Sequence, residues 1–441
     1  MINFFVIGMT CFLLLLILII IGINIAIAFF VTGIIGVGIM IGFDGSFKLL
    51  GTSLYYIIAT PSFASLPLFI LMGALAGKTG FAKDAYDGIS TLFGKIRGSL
   101  AIATCFGCAA FGTVSGSSLA TAVLFGKIAL PEMKRFKYGT ALSVGVVAAS
   151  GTFAAMIPPS KLFILYAIMT NQSVGKLFMA GLIPGIVTAI VYSLIIVVWV
   201  HRDPTMAPPV SKEQIKENSK WVNKFTAIRK IFPLLFVGFL ILGGIYFGFF
   251  SPVEAGAAGT FIIFIIGILT KKFNTNDVRE GLKESAKTTS MTFFIIIGAL
   301  YFSRVIALSQ VPKVLVNTIS TLNIPSFYIL SLVIMIWFFL GMFIISTGNV
   351  AITVPIVVPI LTQLGYDPIW IGVICLKMME IGAVTPPVGL NVYVLKGVVG
   401  DEVPINTIFK GIWPFVIGDF IVLILLILFP KIALFLPNLM W

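Results

Sequence analysis

Long apolar runs separated by short polar segments dominate the pattern along this chain of 441 residues. A helix that crosses the hydrocarbon core of a bilayer needs roughly 20 apolar residues, and eight segments reach or approach that length. We expect spans near 4–21, 25–42, 61–77, 178–200, 231–250, 252–270, 288–308 and 411–436. The pattern therefore predicts an all-α polytopic integral membrane protein.

Four further apolar segments are interrupted by Gly, Pro, Ser and Thr: 99–130, 138–170, 325–364 and 368–400. Such interruptions favour broken helices. Three amphipathic stretches are typical of helices that lie along the membrane surface: 44–59, 83–97 and 311–323. The one long polar stretch, 201–230, predicts a linker between a first half, 1–200, with scaffold spans within 4–77, and a second half, 231–441.

The two halves repeat each other at a nearly constant offset. Gly73-Ala74-Leu75 recurs as Gly298-Ala299-Leu300, a shift of 225, and Pro158-Pro159 recurs as Pro386-Pro387, a shift of 228. We pair Ser115-Gly116-Ser117 with Ser346-Thr347-Gly348, a shift of 231. Their shared order and spacing indicate an internal duplication.

Composition agrees with a membrane protein, because 59% of the residues are hydrophobic and 10% are charged, against about 25% charged in soluble domains. The formal net charge is +13, and 20 of the 29 basic residues lie in the four segments 78–97, 127–137, 201–230 and 271–287. The positive-inside rule makes these segments cytoplasmic. Segments 99–130 and 325–364 are then re-entrant hairpins that enter from opposite sides, the halves are inverted, and both termini lie on the non-cytoplasmic face.

Catalytic chemistry is nearly excluded. The single histidine, His201, lies in a polar loop, so an intramembrane serine protease would lack its base, and an aspartyl protease would find only Asp419 well placed. Cys105 and Cys108 form a C-x-x-C in an apolar stretch, which we interpret as small buried residues. The apolar N-terminal sequence from Phe4 to Phe43 is too long for a cleavable signal peptide. We expect no enzyme, and alternating access rather than a passive channel.

Inverted repeats with discontinuous helices are typical of secondary transporters. Carbonyl and hydroxyl oxygens freed at a helix break suit a hard cation such as Na⁺, and freed N–H groups suit an anion. The first candidate Na⁺ cluster is Ser115, Gly116, Ser117, Ser118, Gly151, Thr152 and Pro158. The second is Thr347, Gly348, Asn349, Gly382, Thr385 and Pro387. Close helix packing by small residues is the alternative.

Six ionisable residues fall at membrane depth: Lys161, Glu254, Arg304, Lys377, Glu380 and Asp419. Such residues face protein or water rather than lipid. Because Lys377 and Glu380 are three residues apart on one helix, we expect a local ion pair between them. Arg304 has two interpretations, as a clamp for a substrate carboxylate or gating residue, or as a structural residue.

The motifs resemble the large membrane subunit of the tripartite ATP-independent periplasmic (TRAP) transporters, the DctM family, over nearly the whole chain. The matching stretches are Phe111-Gly-Thr-Val-Ser-Gly-Ser-Ser118, Ala149-Ser-Gly-Thr152, Ile157-Pro-Pro-Ser160, Gly175-Lys-Leu-Phe178 with Ala180-Gly-Leu-Ile-Pro-Gly185, Ser251-Pro-Val-Glu-Ala255 and Thr385-Pro-Pro-Val-Gly-Leu-Asn391. The resemblance implies an elevator-type inverted-repeat Na⁺ symporter in the bacterial inner membrane.

The resemblance also implies partners and a substrate class. A periplasmic solute-binding protein would deliver a C4-dicarboxylate, sialic acid or other organic acid, and a small four-helix membrane subunit would brace the scaffold. Na⁺ would be the coupling ion, with no other cofactor and no nucleic acid. Substrate would lie between the hairpin tips, and the candidate residues for it are Ser117, Ser160, Asn349, Asn391 and Arg304.

Three positions depart from the family pattern. Ile345 stands where the family commonly has an acidic residue, Asn24 where it usually has Pro, and Arg304 where it is usually apolar or aromatic. A stand-alone Na⁺/carboxylate symporter of the same broad architecture is the second hypothesis.

Overall fold

The computed structural model describes residues 4–209, 221–322 and 324–440, and every regular element in these ranges is helical. The α-helices are α1 (Phe4–Ile20), α2 (Ile25–Ile41), α3 (Phe43–Ala59), α4 (Ser65–Lys78), α5 (Phe81–Leu92), α6 (Ser99–Ser115), α7 (Ser118–Arg135), α8 (Thr140–Ala154), α9 (Lys161–Thr170), α10 (Val174–Arg202), α11 (Trp221–Tyr246), α12 (Pro252–Leu269), α13 (Thr275–Leu308), α14 (Val311–Thr321), α15 (Ser326–Phe343), α16 (Ser346–Gln363), α17 (Pro368–Gly382), α18 (Leu390–Val399), α19 (Ile405–Leu428) and α20 (Lys431–Leu439). Short 3₁₀ turns occupy Pro61–Ala64 and Gly400–Glu402.

Eight helical segments of the described ranges are long and apolar enough to cross a membrane. They are Pro61–Lys78, Val174–Arg202, Val222–Tyr246, Pro252–Leu269, Thr275–Leu308, Ser326–Phe343, Ser346–Gln363 and Ile405–Leu428. The first two helices, α1 and α2, are apolar but shorter, at 17 residues each. At 1.5 Å per residue each is about 26 Å long, close to the thickness of the hydrocarbon core.

The expected last span, 411–436, differs from the structure. It begins earlier, at Ile405, and stops at Leu428, and a separate helix follows from Lys431. Phe429 has φ −126° and ψ 72° and so lies outside helical geometry, because a residue that precedes proline is disfavoured in that geometry. Pro430 therefore divides the expected span into α19 and α20.

The four interrupted segments each contain a pair of helices. Two residues separate α6 from α7 and α15 from α16, whereas the six residues 155–160 separate α8 from α9 and the seven residues 383–389 separate α17 from α18. Prolines occupy both longer breaks, where the missing N–H and the fixed φ of proline disfavour a continuous helix.

Helices of the two halves interlock at the centre of the molecule. The second hairpin helix of each half contacts the short helix of the other half, α7 with α18 and α16 with α9. One large apolar core runs through this region. A smaller core joins α1, α2 and α13 to Ala351 and Ile352 of α16. The breaks of the two halves therefore come together inside one packed body.

The expected linker, 201–230, is described at its two ends, and its middle, 210–220, lies outside the described residues. The first end packs against the rest of the chain. Arg97 Nη2 donates to the Pro204 carbonyl at 2.8 Å, and the Gly139 N–H donates to the Met206 carbonyl at 2.9 Å. These bonds fix residues 204–206 beside the starts of α6 and α8.

Candidate functional site

The first hairpin turns at Gly116, between α6 and α7. Gly116 has φ +54°, and a Cβ added to it would lie 2.4 Å from the Pro159 carbonyl oxygen. Only glycine meets both conditions, because it tolerates positive φ and has no side chain to collide with that oxygen. The tip therefore presses against the break between α8 and α9.

The first predicted Na⁺ cluster is largely brought together around this tip. Ser115 Oγ lies 3.0 Å from Thr121 Oγ1, and Ser117 Oγ accepts a long hydrogen bond, 3.4 Å, from Lys161 Nζ. A Cβ on Gly151 would lie 3.0 Å from the Ser118 carbonyl oxygen. The hydroxyl of Thr152 instead donates to its own helix, to the Ala149 carbonyl at 2.6 Å. The break that contains Pro158 completes the group.

The second predicted cluster is more dispersed. Gly382 lies against α15, where an added Cβ would be 2.6 Å from the Phe338 carbonyl oxygen, whereas Gly348 lies against Ile25 of α2. Thr385 Oγ1 donates to the Ile381 carbonyl at 2.7 Å, at the start of the break that contains Pro387. Asn349 Nδ2 donates to the Trp337 carbonyl at 3.2 Å. Thr347 alone of this set lines the cavity between the tips.

That cavity has a volume of about 100 Å³. Its wall consists of Ser118, Leu119, Ala155, Lys161, Leu162, Ile345, Ser346, Thr347, Glu380, Ala383, Leu390 and Asn391. Eight of these residues form four pairs at a constant offset of 228: Ser118 with Ser346, Leu119 with Thr347, Ala155 with Ala383, and Leu162 with Leu390. Equivalent positions of the two halves thus build one cavity.

This offset corrects the predicted alignment of the tips. Ser118 begins α7 and Ser346 begins α16, so these two serines correspond. The pairing of Ser115 with Ser346 is wrong by three residues, and the counterparts of Ser115-Gly116-Ser117 are Phe343-Ile344-Ile345. The second hairpin therefore turns through apolar residues where the first turns through Ser-Gly-Ser.

Glu380 of α17 contacts both tips. Its Oε1 accepts from Ser346 Oγ at 3.0 Å and from Ser118 Oγ at 3.4 Å, and the residue is 2% exposed. The sequence marked Glu380 as a residue at membrane depth but gave no sign of this role, because Ser118 lies 262 positions away.

The expected ion pair between Lys377 and Glu380 is wrong. Lys377 Nζ instead pairs with Asp419 Oδ1 at 2.5 Å and donates to Thr188 Oγ1 at 3.1 Å. Tyr192 Oη donates to the other Asp419 oxygen at 2.7 Å. The side chains of Lys377 and Asp419 are each 2% exposed. These contacts join α17 to α19 and α10. A charge so deeply buried needs partners of this kind to offset the cost of removing it from water.

Several polar atoms near the cavity are buried and have no hydrogen-bond partner among the described residues. They are Glu380 Oε2, both Asn391 Oδ1 and Asn391 Nδ2, Ser160 Oγ and Asn349 Oδ1. Buried polar groups are normally paired. Of these residues, Glu380 and Asn391 belong to the cavity wall. The region therefore holds hydrogen-bonding capacity that the protein itself does not use.

Arg304 lies elsewhere. It is exposed and lines a separate cleft of about 1050 Å³, together with residues of α3, α9, α12 and α13 and of the turns that adjoin them. Glu254 also lines this cleft, where its carboxylate accepts from the Ser251 N–H at 2.8 Å in a capping box. The structure thus separates Arg304 from the other four predicted substrate residues.

The helical architecture and the two hairpin tips that border one cavity define a polytopic membrane protein built like a transporter. The chain belongs to the family of the tripartite ATP-independent periplasmic transporter, DctM component, whose model matches residues 10–432.

Relatives support this assignment, and one solved structure shares the fold. The chain is 34% identical to the C4-dicarboxylate TRAP transporter large permease protein DctM of Pseudomonas aeruginosa, over 89% of this chain and 88% of the relative. It is 30% identical to the sialic acid TRAP transporter large permease protein SiaM of Vibrio cholerae, over 85% and 86%. The YdaH transporter of Alcanivorax borkumensis shares the fold, with a TM-score of 0.65, 13% identity and coverage of 89% and 90%.

Proposed function

We propose that this protein is the large permease subunit of a Na⁺-coupled TRAP transporter that imports a carboxylate-bearing solute. The observation that carries the proposal is the cavity between the tips, built from equivalent positions of both halves and bordered by Lys161 and Glu380. The names of the two relatives, for a C4-dicarboxylate and for sialic acid, supply the substrate class.

Sodium binding would use the oxygens at the helix breaks. At the first tip, the Pro159 carbonyl lies against Gly116, and the Ser115 and Thr121 hydroxyls lie side by side. Neutral carbonyl and hydroxyl oxygens are suitable ligands for a hard cation. Because such ligands add no charge, bound Na⁺ keeps its own. Transport should then respond to membrane potential whenever the Na⁺ charge exceeds the substrate charge.

The interlocked helices support the proposal of an elevator mechanism. The second hairpin helix of each half contacts the short helix of the other half, which supports treating the tips and breaks as one unit. We propose that this unit moves against α1, α2 and α13, carrying the cavity between the two sides of the membrane. A small membrane subunit would brace that scaffold in the bacterial inner membrane, with both termini of this chain periplasmic.

The test is uptake into proteoliposomes that contain this chain and its small subunit. With a loaded periplasmic binding protein outside and an inward Na⁺ gradient, radiolabelled organic acid should accumulate. Accumulation that is as fast without Na⁺ would overturn Na⁺ coupling. Na⁺-driven accumulation that needs no binding protein would favour the stand-alone Na⁺/carboxylate symporter instead.

A further inference from the structure

At four positions, the wall of the cavity between the tips does not contain equivalent residues of the two halves. Eight wall residues are paired at the offset of 228, and the other four are Lys161, Ile345, Glu380 and Asn391. The residues at the equivalent positions are Gly389, Ser117, Thr152 and Phe163. Lys161, Glu380 and Asn391 therefore each have a residue of a different chemical type at the equivalent position of the other half.

Lys161 and Glu380 have opposite charges and do not form an ion pair. Lys161 Nζ makes one hydrogen bond among the described residues, the long one to Ser117 Oγ at 3.4 Å, and Glu380 Oε1 accepts from the two serines. An ion pair at this depth would normally close to contact, because isolated buried charges are costly. The separation leaves each charge available to a third group.

The unpaired atoms of Glu380 and Asn391 show which hydrogen-bonding groups a ligand has to supply. Glu380 Oε2 is an acceptor without a donor, and Asn391 offers both an unpaired acceptor and an unpaired donor. Asn391 is 1% exposed and Glu380 is 2% exposed, so water outside the protein does not satisfy them. A buried acceptor that lacks a partner destabilises the site until a donor reaches it.

We infer that the cavity binds the polar end of a carboxylic acid that carries a hydrogen-bond donor beside its carboxylate, either a hydroxyl or an ammonium group. Lys161 holds the carboxylate, and Glu380 Oε2 together with Asn391 takes the neighbouring donor. This inference rests on the proposed function and narrows its substrate class from carboxylates in general to 2-hydroxy and 2-amino acids.

Cavity size agrees with a small polar end rather than a whole large solute. A water molecule occupies about 30 Å³ in the liquid, so a cavity of about 100 Å³ holds a carboxylate and the substituted carbon beside it. The unpaired atoms of Glu380 and Asn391 have almost no accessible surface, so a ligand reaches them by widening the cavity.

Binding of matched acids to the wild-type complex in nanodiscs tests the inference. The complex of this chain and its small subunit, without the binding protein, is titrated in saturating Na⁺ with propionate, L-lactate and L-alanine, and then with succinate, L-malate and L-aspartate. Each set differs only by a hydrogen, a hydroxyl or an ammonium at carbon 2. We expect the substituted acids of at least one set to bind tenfold or more tightly than the plain acid, since a site built for a donor rejects the analogue that lacks it.

Variants assign the two ends of the ligand. Glu380→Gln should reduce the advantage of the ammonium acid at least tenfold, because the negative charge is gone, while affinity for the plain acid changes little. Lys161→Met should weaken all acids of the set, and Lys161→Arg should restore part of that loss. Glu284→Gln and Lys313→Met, at exposed positions outside the cavity, are the matched controls and should change no ratio.

The outcomes separate this inference from the proposed function. Equal Na⁺-dependent affinity for plain and substituted acids in both sets overturns the inference and leaves the Na⁺-coupled permease standing. An absence of Na⁺-dependent binding of every acid also overturns it, and the permease is then judged by uptake with its binding protein. If the wild-type complex prefers substituted acids but Glu380→Gln keeps that preference in full, the donor is bound elsewhere and the assignment to Glu380 is wrong.

Discussion

The two hairpin tips share a framework but differ in chemistry. Ser118 and Ser346 begin equivalent helices and bind the same carboxylate oxygen of Glu380. The turns that precede them are Ser115-Gly116-Ser117 in the first half and Phe343-Ile344-Ile345 in the second. At both tips two residues separate the paired helices, and a serine begins the helix that follows. Polar turn residues occur only at the tip of the first half.

The two halves also differ in chemistry at the buried ion pair of α17 and α19. Lys377 and Asp419 form a buried ion pair in the second half, and the positions 228 residues earlier are Ala149 and Val191. The first half fills this place with aliphatic side chains and needs no charge there. The second half therefore combines an apolar turn with a buried ion pair. The first half combines a polar turn with aliphatic residues at the positions equivalent to that pair.

The largest effect should come from making the first tip resemble the second. Ser117→Ile introduces the residue that occupies the equivalent position, Ile345, and it removes the hydroxyl that Lys161 contacts. We expect Na⁺-driven uptake to be abolished with normal membrane insertion, and the same result for Thr385→Leu in the second cluster. Ile345→Val is the control and should keep most uptake. Normal uptake by Ser117→Ile would show that a polar turn at the first tip is not required.

Removing one partner of the buried ion pair should have the next largest effect. Lys377→Met leaves Asp419 buried with only the Tyr192 hydroxyl, and we expect a loss of about 3–5 kcal/mol in the free energy of unfolding. The double variant Lys377→Met with Asp419→Leu should recover most of this loss, as in the aliphatic first half. Thermal unfolding in detergent measures both. A double variant less stable than the single one would contradict the explanation.

Close backbone contacts test whether the halves pack alike. A Cβ on Gly112 would lie 2.7 Å from the Ala154 carbonyl oxygen, and one on Gly341 would lie 2.9 Å from the Met379 carbonyl oxygen. Gly112→Ala and Gly341→Ala should each destabilise the protein by about 1–3 kcal/mol through overpacking. Gly77→Ala, which meets no atom within 4 Å, is the matched control. Loss at one glycine alone would show that only that half depends on the close contact.

The smallest effect should come from the exposed link between the halves. Lys134 Nζ lies 2.7 Å from Glu402 Oε2, and its hydrogen bond and charge hold the pKa of that carboxyl below its ordinary value. Because the pKa is lowered in the folded protein, the small stabilisation is present above the pKa of the unfolded carboxyl. It is lost as pH falls from that value through the lower pKa of the folded carboxyl. Glu402→Gln should leave uptake unchanged and remove this weak dependence of the unfolding temperature on pH. A clear loss of uptake would show that the link between the halves matters for transport.

Much of the architecture could be predicted from the sequence alone. The apolar runs are long enough to place most helices, and the double prolines lie in both long breaks of the structure. These features depend on local rules, since hydrophobic length and backbone restriction act within a few residues. The exact limits were less certain, as the division of 411–436 at Pro430 shows.

The site depended on tertiary structure. Glu380 and Lys377 are three residues apart, so a local rule paired them, but the fold gives Glu380 to serines 262 and 34 positions away and gives Lys377 to Asp419. Likewise, the sequence grouped Arg304 with Asn391, and the fold places these two residues in different cavities. Sequence by itself determined most of the apolar helices and where the interrupted ones break. Only the packing of the two halves decided which polar groups meet, because partners far apart in the chain are selected by the shape of the whole core.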